Sequence, residues 1–211
     1  MTPSGGDFDV VTGAFSYSGA AIASELRAVG RRVRTLTGHP GRAPEGTSIE
    51  VRPLDFADPA GLAASLRGAR ALFNTYWVRF AHGQVSHETA VAQSRVLFQA
   101  AAEAGVSRVV HVSITHPSAD SPYPYFRGKA AVGSRSQVVR VPGSLIPPAA
   151  RLLGLALRDT LLTSDEYQAM ADGLADTDGP ATGETSLTQW ITDHKGTLGR
   201  TYANELDRHF R

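Results

Sequence analysis

The chain has 211 residues, 42% apolar and 19% charged, a composition that excludes a disordered polymer and is enough for one cored domain. Lys and Arg number 21 against 20 Asp and Glu, so the net charge of +1 supplies no basic field for nucleic acid or an anionic membrane. The absence of cysteine excludes disulfides, thiolate metal sites and a cysteine nucleophile.

Met1 to Asp7 lacks the basic start and apolar run of a secretory leader, and no stretch approaches the ~20 apolar residues of a membrane span. A cytoplasmic protein is expected. Asp7 to Thr12 reads as a short buried strand ending at Gly13. Ala20 to Val29 has Ile22, Leu26 and Val29 at helical spacing, with Gly30 where a helix C-cap favours positive φ. Arg32 to Leu36 alternates as a second strand, and Thr47 to Val51 is a weaker third. Asp58 and Pro59 supply an N-cap and first helical position, Leu62 and Leu66 an inner face, and Gly68 the stop.

Ala69 to Asn74 is a fourth strand. Ser86 caps a long helix from His87 to about Ala104, ended by Gly105, and Arg108 to Ser113 is a fifth strand. This alternation predicts parallel strands joined by crossover helices, an α/β layer structure. Beyond Lys129 the pattern degrades. Gln137 to Val141 reads as a sixth strand, and Ala149–Leu157, Ser164–Leu174, Leu187–His194 and Leu198–Phe210 read as helices. The expected organisation is an α/β domain over 1–141 and a helical C-terminal region over 142–211.

Thr12-Gly13-Ala14-Phe15-Ser16-Tyr17-Ser18-Gly19 lies between the first strand and first helix. A dinucleotide site needs a tight turn there, so that helix N–H groups face the pyrophosphate. Gly13 supplies the turn, Gly19 permits close helix–strand packing, and Ser16 stands where a middle glycine is usual. Gly13, Phe15, Ser16 and Gly19 are therefore candidate cofactor contacts. The ribose is read near the end of the second strand, where Arg34, Thr37, Gly38 and His39 include no acid. Arg34 gives a weak lean to NADP over NAD, its alternative being a solvated strand residue. Asp55 either flanks the adenine or is a turn residue.

Tyr125-Phe126-Arg127-Gly128-Lys129 places a tyrosine and a lysine four apart, on one helical face. A lysine ammonium there favours the tyrosinate, so the pair can exchange a proton with a hydroxyl or carbonyl while hydride moves at a nicotinamide. With two lysines and six tyrosines in the chain, chance gives about 0.06 such matches. Ser113, at a strand end, can hydrogen-bond the reacting oxygen.

Together these residues resemble the short-chain dehydrogenase/reductase superfamily, in particular its atypical and extended branch of NmrA-like and NAD-dependent epimerase/dehydratase-type proteins. The resemblance runs from Asp7 to Val132 and includes the glycine turn, Ala71-Leu72-Phe73-Asn74-Thr75 beside the cofactor, and Ser113, Tyr125 and Lys129. It implies a Rossmann-type doubly wound parallel sheet of five to six strands with a helical C-terminal tail. It also implies NAD(P) as cofactor, Ser113, Tyr125 and Lys129 as catalytic residues, and Asn74 and Lys129 among the cofactor contacts. Such proteins continue into further strands and a substrate lobe, whereas here the chain passes through Gly133-Ser134-Arg135-Ser136 to the helical tail, as if shortened.

Seven histidines invite a metal reading, but His82/His87 and His111/His116 are each five apart, which suits no single helix or strand face, and no metal is expected. Tyr76-Trp77-Val78-Arg79-Phe80 either lines a substrate pocket, through Tyr76 and an anion-meeting Arg79, or packs on the tail. Trp190 reads as core. The Leu152–Leu162 stretch is a buried helix or the face of a homodimer. The expected function is an NAD(P)-dependent oxidoreductase or epimerase acting on a small hydroxyl or carbonyl substrate. The alternatives are a non-catalytic NmrA-like cofactor-binding sensor and a degenerate truncated relative.

Overall fold

The computed structural model describes residues 8–132 and, further on, 155, 158–160, 162–176, 179, 186–194, 196 and 204–210. The chain divides into two compact units, Met1–Ser134 and Arg135–Arg211. The first contains strands β1 (Phe8–Thr12), β2 (Arg32–Thr37), β3 (Glu50–Pro53), β4 (Ala69–Asn74) and β5 (Arg108–His111). They form one sheet in the order β3-β2-β1-β4-β5, every pair parallel. The crossovers are helices α1 (Tyr17–Ala28), α2 (Pro59–Leu66) and α3 (His87–Glu103), and α4 (Pro124–Ala131) follows β5. This is a Rossmann-type fold. The expected sixth strand over 137–141 lies outside the described residues.

The central strand is buried on both faces, as its Val10-Val11 pair requires. Val10, Leu36 and Leu72 meet Leu62 and Leu66 of α2 and Leu97 of α3 on one face. Val11, Val33 and Ala23 of α1 form the core of the other. Asp58 and Ser86 cap α2 and α3, accepting from the Gly61 and Thr89 N–H groups.

Three boundaries differ from the sequence reading. Helix α1 begins at Tyr17 rather than Ala20, because Ser16 is already extended and Gly19 is helical. Strand β3 begins at Glu50, because Thr47 is held in a turn by its N–H bond to Pro44 O, and its Oγ1 accepts from Ile49. Strand β5 ends at His111, although Val112 N still bonds Asn74 O at 3.0 Å.

A charge is buried in the middle of the sheet. Asp9 is 0% exposed and accepts from Arg31 on the β2 side (2.8 Å) and Arg70 on the β4 side (3.1 Å). Burial pushes its carboxyl up, but the hydrogen bonds and charges of the two guanidinium groups outweigh this and hold it below the ordinary 3.8. The stabilisation is therefore full above that pH and is lost as pH falls below it. Asp9→Asn is expected to lower stability by about 2 kcal/mol at pH 7, since the arginines keep partial contact with water, and the deficit should shrink in urea melts below pH 4.

The described helices of the second unit are α5 (Ser164–Ala171), α6 (Leu187–His194) and α7 (Glu205–Phe210). Thr163 and Glu166 form a capping box on α5. The Asp159 carboxylate accepts from the Glu205 and Leu206 N–H groups at 3.0 and 3.1 Å. Among the described residues no helix is long and apolar enough to cross a membrane.

Candidate active site at the carboxyl edge of the sheet

The loop leaving β1 is shaped by two glycines. Gly13 has φ +62°, and its N–H bonds Leu36 O at 2.8 Å. Gly19 sits so close to this turn that a Cβ would lie 2.1 Å from Gly13 O and 3.0 Å from Thr12 O. Between them Ser16 is the N-cap of α1, yet its hydroxyl makes no cap. It donates to Gly13 O at 2.7 Å. The first turn of α1 thus stands at the carboxyl edge of the central strand without a side-chain cap from Ser16. That fits an anionic pyrophosphate, and Ser16 secures the turn rather than leaving its hydroxyl open. Phe15 packs against the Val11/Ala23 cluster.

Beside the turn, Thr12 joins β1 to β4. Its Oγ1 accepts from the N–H groups of Thr75 (2.7 Å) and Tyr76 (3.0 Å) and donates to Asn74 Oδ1 (3.1 Å). Asn74 Oδ1 also accepts from Tyr76 N, so Asn74 Nδ2 is the donor to His111 Nδ1 at 3.0 Å. His111 is then the neutral tautomer with its proton on Nε2. Burial, and next the charge of Lys129, hold the imidazole down to about 4. Its Nε2 is buried without a partner, as is Ser113 Oγ two residues on. Asn74 is 0% exposed and its amide is committed to protein groups. Its part is to align the three strand ends.

Lys129 is buried at 3% exposure. Tyr123 is the extended N-cap of α4 and Pro124 its first residue, so the chain approaches extended and Tyr125 and Lys129 share one helical face. Lys129 Nζ donates to Val112 O at 2.9 Å, the carbonyl of the peptide that leads into Ser113. It also lies 4.3 Å from the centre of the Trp77 ring, face-on. Burial lowers its ammonium to about 8. Tyr125 stands edge-on to Trp77 (6.1 Å) and to His87 (5.5 Å). The fold thus brings the helix bearing Tyr125 and Lys129 against the end of β5, beside the unpartnered Ser113 hydroxyl.

Other expected residues lie elsewhere or serve the scaffold. Arg34 is not at the strand end. It pairs with Glu50 at 2.8 Å, donates to Ser65 O and covers the Phe8 ring at 4.1 Å. It lines a cavity of about 250 Å³ at the opposite edge of the sheet, with Arg27, Arg31, Arg32 and Glu50. It is therefore not available to a 2′-phosphate at the carboxyl edge. Asp55 is exposed just beyond β3 and its carboxylate accepts from Ala57 N at 2.9 Å, as a turn residue does. Tyr76 donates its hydroxyl to Gln93 and packs on Phe56, and burial pushes its phenol up to about 12. Arg79 lies 5.7 Å from the Phe80 ring.

Sequence reasoning missed Trp77, His87 and His111. Trp77 belonged to the aromatic loop already singled out. His111 had a readable signal in its spacing of two from Ser113 on the expected fifth strand, Arg108 to Ser113. Among the described residues no group of three or more histidines and carboxylates is arranged to hold a metal ion.

Neither a protein-family model nor a curated protein matches the sequence. Solved structures do resemble it. A nucleoside-diphosphate-sugar epimerase from Staphylococcus aureus aligns with a TM-score of 0.50 at 15% identity, over 59% of this chain and 44% of that one. The fold is shared with a sugar-nucleotide epimerase. A short-chain dehydrogenase/reductase superfamily protein from Agrobacterium tumefaciens with bound NAD gives a TM-score of 0.46 at 25% identity, over 59% and 42%. Citrobacter sp. triphenylmethane reductase, complexed with NADP(H), gives 0.48 at 20%, over 59% and 43%. The chain spans less than half the length of each of these three proteins.

Proposed function

We propose that this chain binds a nicotinamide dinucleotide at the carboxyl edge of its sheet and acts as an oxidoreductase or epimerase on a small hydroxyl or carbonyl compound. The supporting observation is Lys129, an ammonium one helical turn from Tyr125 and buried against the carbonyl of Val112, the residue just before Ser113, whose buried hydroxyl has no partner. Burying a cation is unfavourable, and among the described residues no carboxylate pairs with Lys129. A group with this cost and this placement fits a chemical task better than a structural one.

When bound, the nicotinamide supplies or accepts hydride. Gly13, Ser16 and Gly19 form the turn against which the pyrophosphate would rest. Tyr125 delivers or removes the proton at the substrate oxygen, Ser113 donates to that oxygen, and Lys129 favours the tyrosinate and holds the ribose. Tyr76 and Arg79 follow β4 on the loop facing this edge and are the proposed substrate contacts.

Calorimetric titration with NAD(H) and NADP(H), followed by reductase assays on a carbonyl panel, tests the reading. Binding of one cofactor below millimolar concentration is expected, with turnover that Tyr125→Phe lowers about 10²- to 10⁴-fold while cofactor affinity holds. No binding at millimolar cofactor overturns the proposal. Binding without turnover, indifferent to Tyr125→Phe, identifies a non-catalytic cofactor-binding protein instead.

A further inference from the structure

Trp77 packs against both Lys129 and Tyr125, and neither the glycine turn nor the Tyr125/Lys129 pair accounts for it. Its ring is face-on to Lys129 Nζ at 4.3 Å, edge-on to Tyr125 at 6.1 Å and stacked on His87 at 6.3 Å. Helix α4 gives way to it at Gly128, where a Cβ would lie 3.1 Å from two atoms of the indole. Its Nε1–H is buried without a hydrogen-bond partner. An indole held at the cost of an orphaned donor is not there for its N–H. What remains is the π face, and tryptophan has the strongest attraction for a cation of any aromatic side chain.

We propose that Trp77 is the positioning residue for Lys129: its ring face and the Val112 carbonyl together hold the ammonium in the interior, and Gly128 is the gap in α4 that admits the ring. This deepens the reading of Tyr125 and Lys129 as an acid/base pair. Among the described residues, the titratable groups around the ammonium are Tyr125 on its own helix, His111 on β5 and, across the indole, His87 on α3. None of them is a carboxylate. The π face therefore provides the stabilisation that a salt bridge would otherwise give to a cation whose burial already lowers it to about 8.

The chain has two lysines and two tryptophans, which allows a direct test on the full protein. In a Lys195→Arg, Trp190→Phe background, the Lys129 ammonium is titrated by carbon-detected NMR at its Cε, with no cofactor or substrate present. Ring-fluorinated tryptophan keeps the shape of Trp77 and weakens its π face. The Lys129 pKa is expected to fall with increasing fluorination, by about one unit for the fully fluorinated ring. Trp77→Phe should cause a smaller fall, and Gly128→Ala, which displaces the ring, should lower it in the same sense. A pKa that does not move with fluorination overturns the proposal. So does one that rises in Trp77→Leu, because that would make the indole only a lid against water. Since no turnover is measured, this outcome is independent of whether the chain is a catalyst.

Discussion

Gly19→Ala is expected to abolish cofactor binding and to lower stability by about 3 kcal/mol, roughly 10 °C in Tm. The added Cβ would lie 2.1 Å from Gly13 O, 2.7 Å from Gly13 C and 3.0 Å from Thr12 O. All three are backbone atoms, so no rotamer change relieves the overlap. Either α1 moves off the sheet or the turn at Gly13 opens. Gly13 is held by its N–H bond to Leu36 O and by Ser16, whose N–H and hydroxyl both reach Gly13 O, so opening breaks several bonds at once. Thermal melts and calorimetry with NAD(H) and NADP(H) check both effects. Unchanged Tm with intact binding would mean that helix and turn do not make this close approach.

Lys129→Met is expected to remove turnover while making the protein more stable at pH 7. Methionine matches the lysine stem in length, and the change removes an interior charge that pairs with no carboxylate among the described residues. Activity should fall about 10²-fold or more, because Tyr125 loses the cation that favours its ionised form. The pH dependence follows from the lowered ammonium. With Lys129 titrating at about 8 in the folded chain, against an ordinary 10.5, the folded state binds fewer protons between those values. Wild-type stability therefore gains as pH rises through that window, while the burial penalty is complete below pH 8. The stability advantage of Lys129→Met should be largest at pH 7 and close towards pH 10.5. Wild-type activity should decline above about pH 8. Urea melts of both proteins at pH 7 and 10 test the sign, and a constant gap would place Lys129 in contact with water.

Much of the fold was legible because its signals are local. Val10-Val11 between polar neighbours, Asp58-Pro59, the Ser86 cap and the glycines at 13, 30, 68 and 105 mark strand and helix ends, and these four glycines all have positive φ. Where a boundary moved, a partner decided it. Thr47 is strand-like in composition, but Pro44 O and Ile49 N draw it into a turn, and pairing with β2 starts at Glu50.

The site was legible to a different depth. The spacing of Tyr125 and Lys129 and the placing of Ser113 after a strand can be read from one dimension, because a helix repeats every 3.6 residues and a parallel sheet presents its carboxyl ends together. What those side chains meet cannot. Arg34 looked free to read a ribose phosphate, and Glu50, sixteen residues on, takes it. Asn74 looked like a cofactor contact, and Thr12 and His111 engage its amide across two strands. The Rossmann-type turn that follows β1 was thus determined by the sequence itself, since positive φ and close backbone approach are properties of glycine. That Lys129 lies buried on the face of Trp77, beside the peptide leading into Ser113, was decided only by tertiary structure. Trp77 and Lys129 are fifty-two positions apart in the chain, and only folding sets them 4.3 Å from each other.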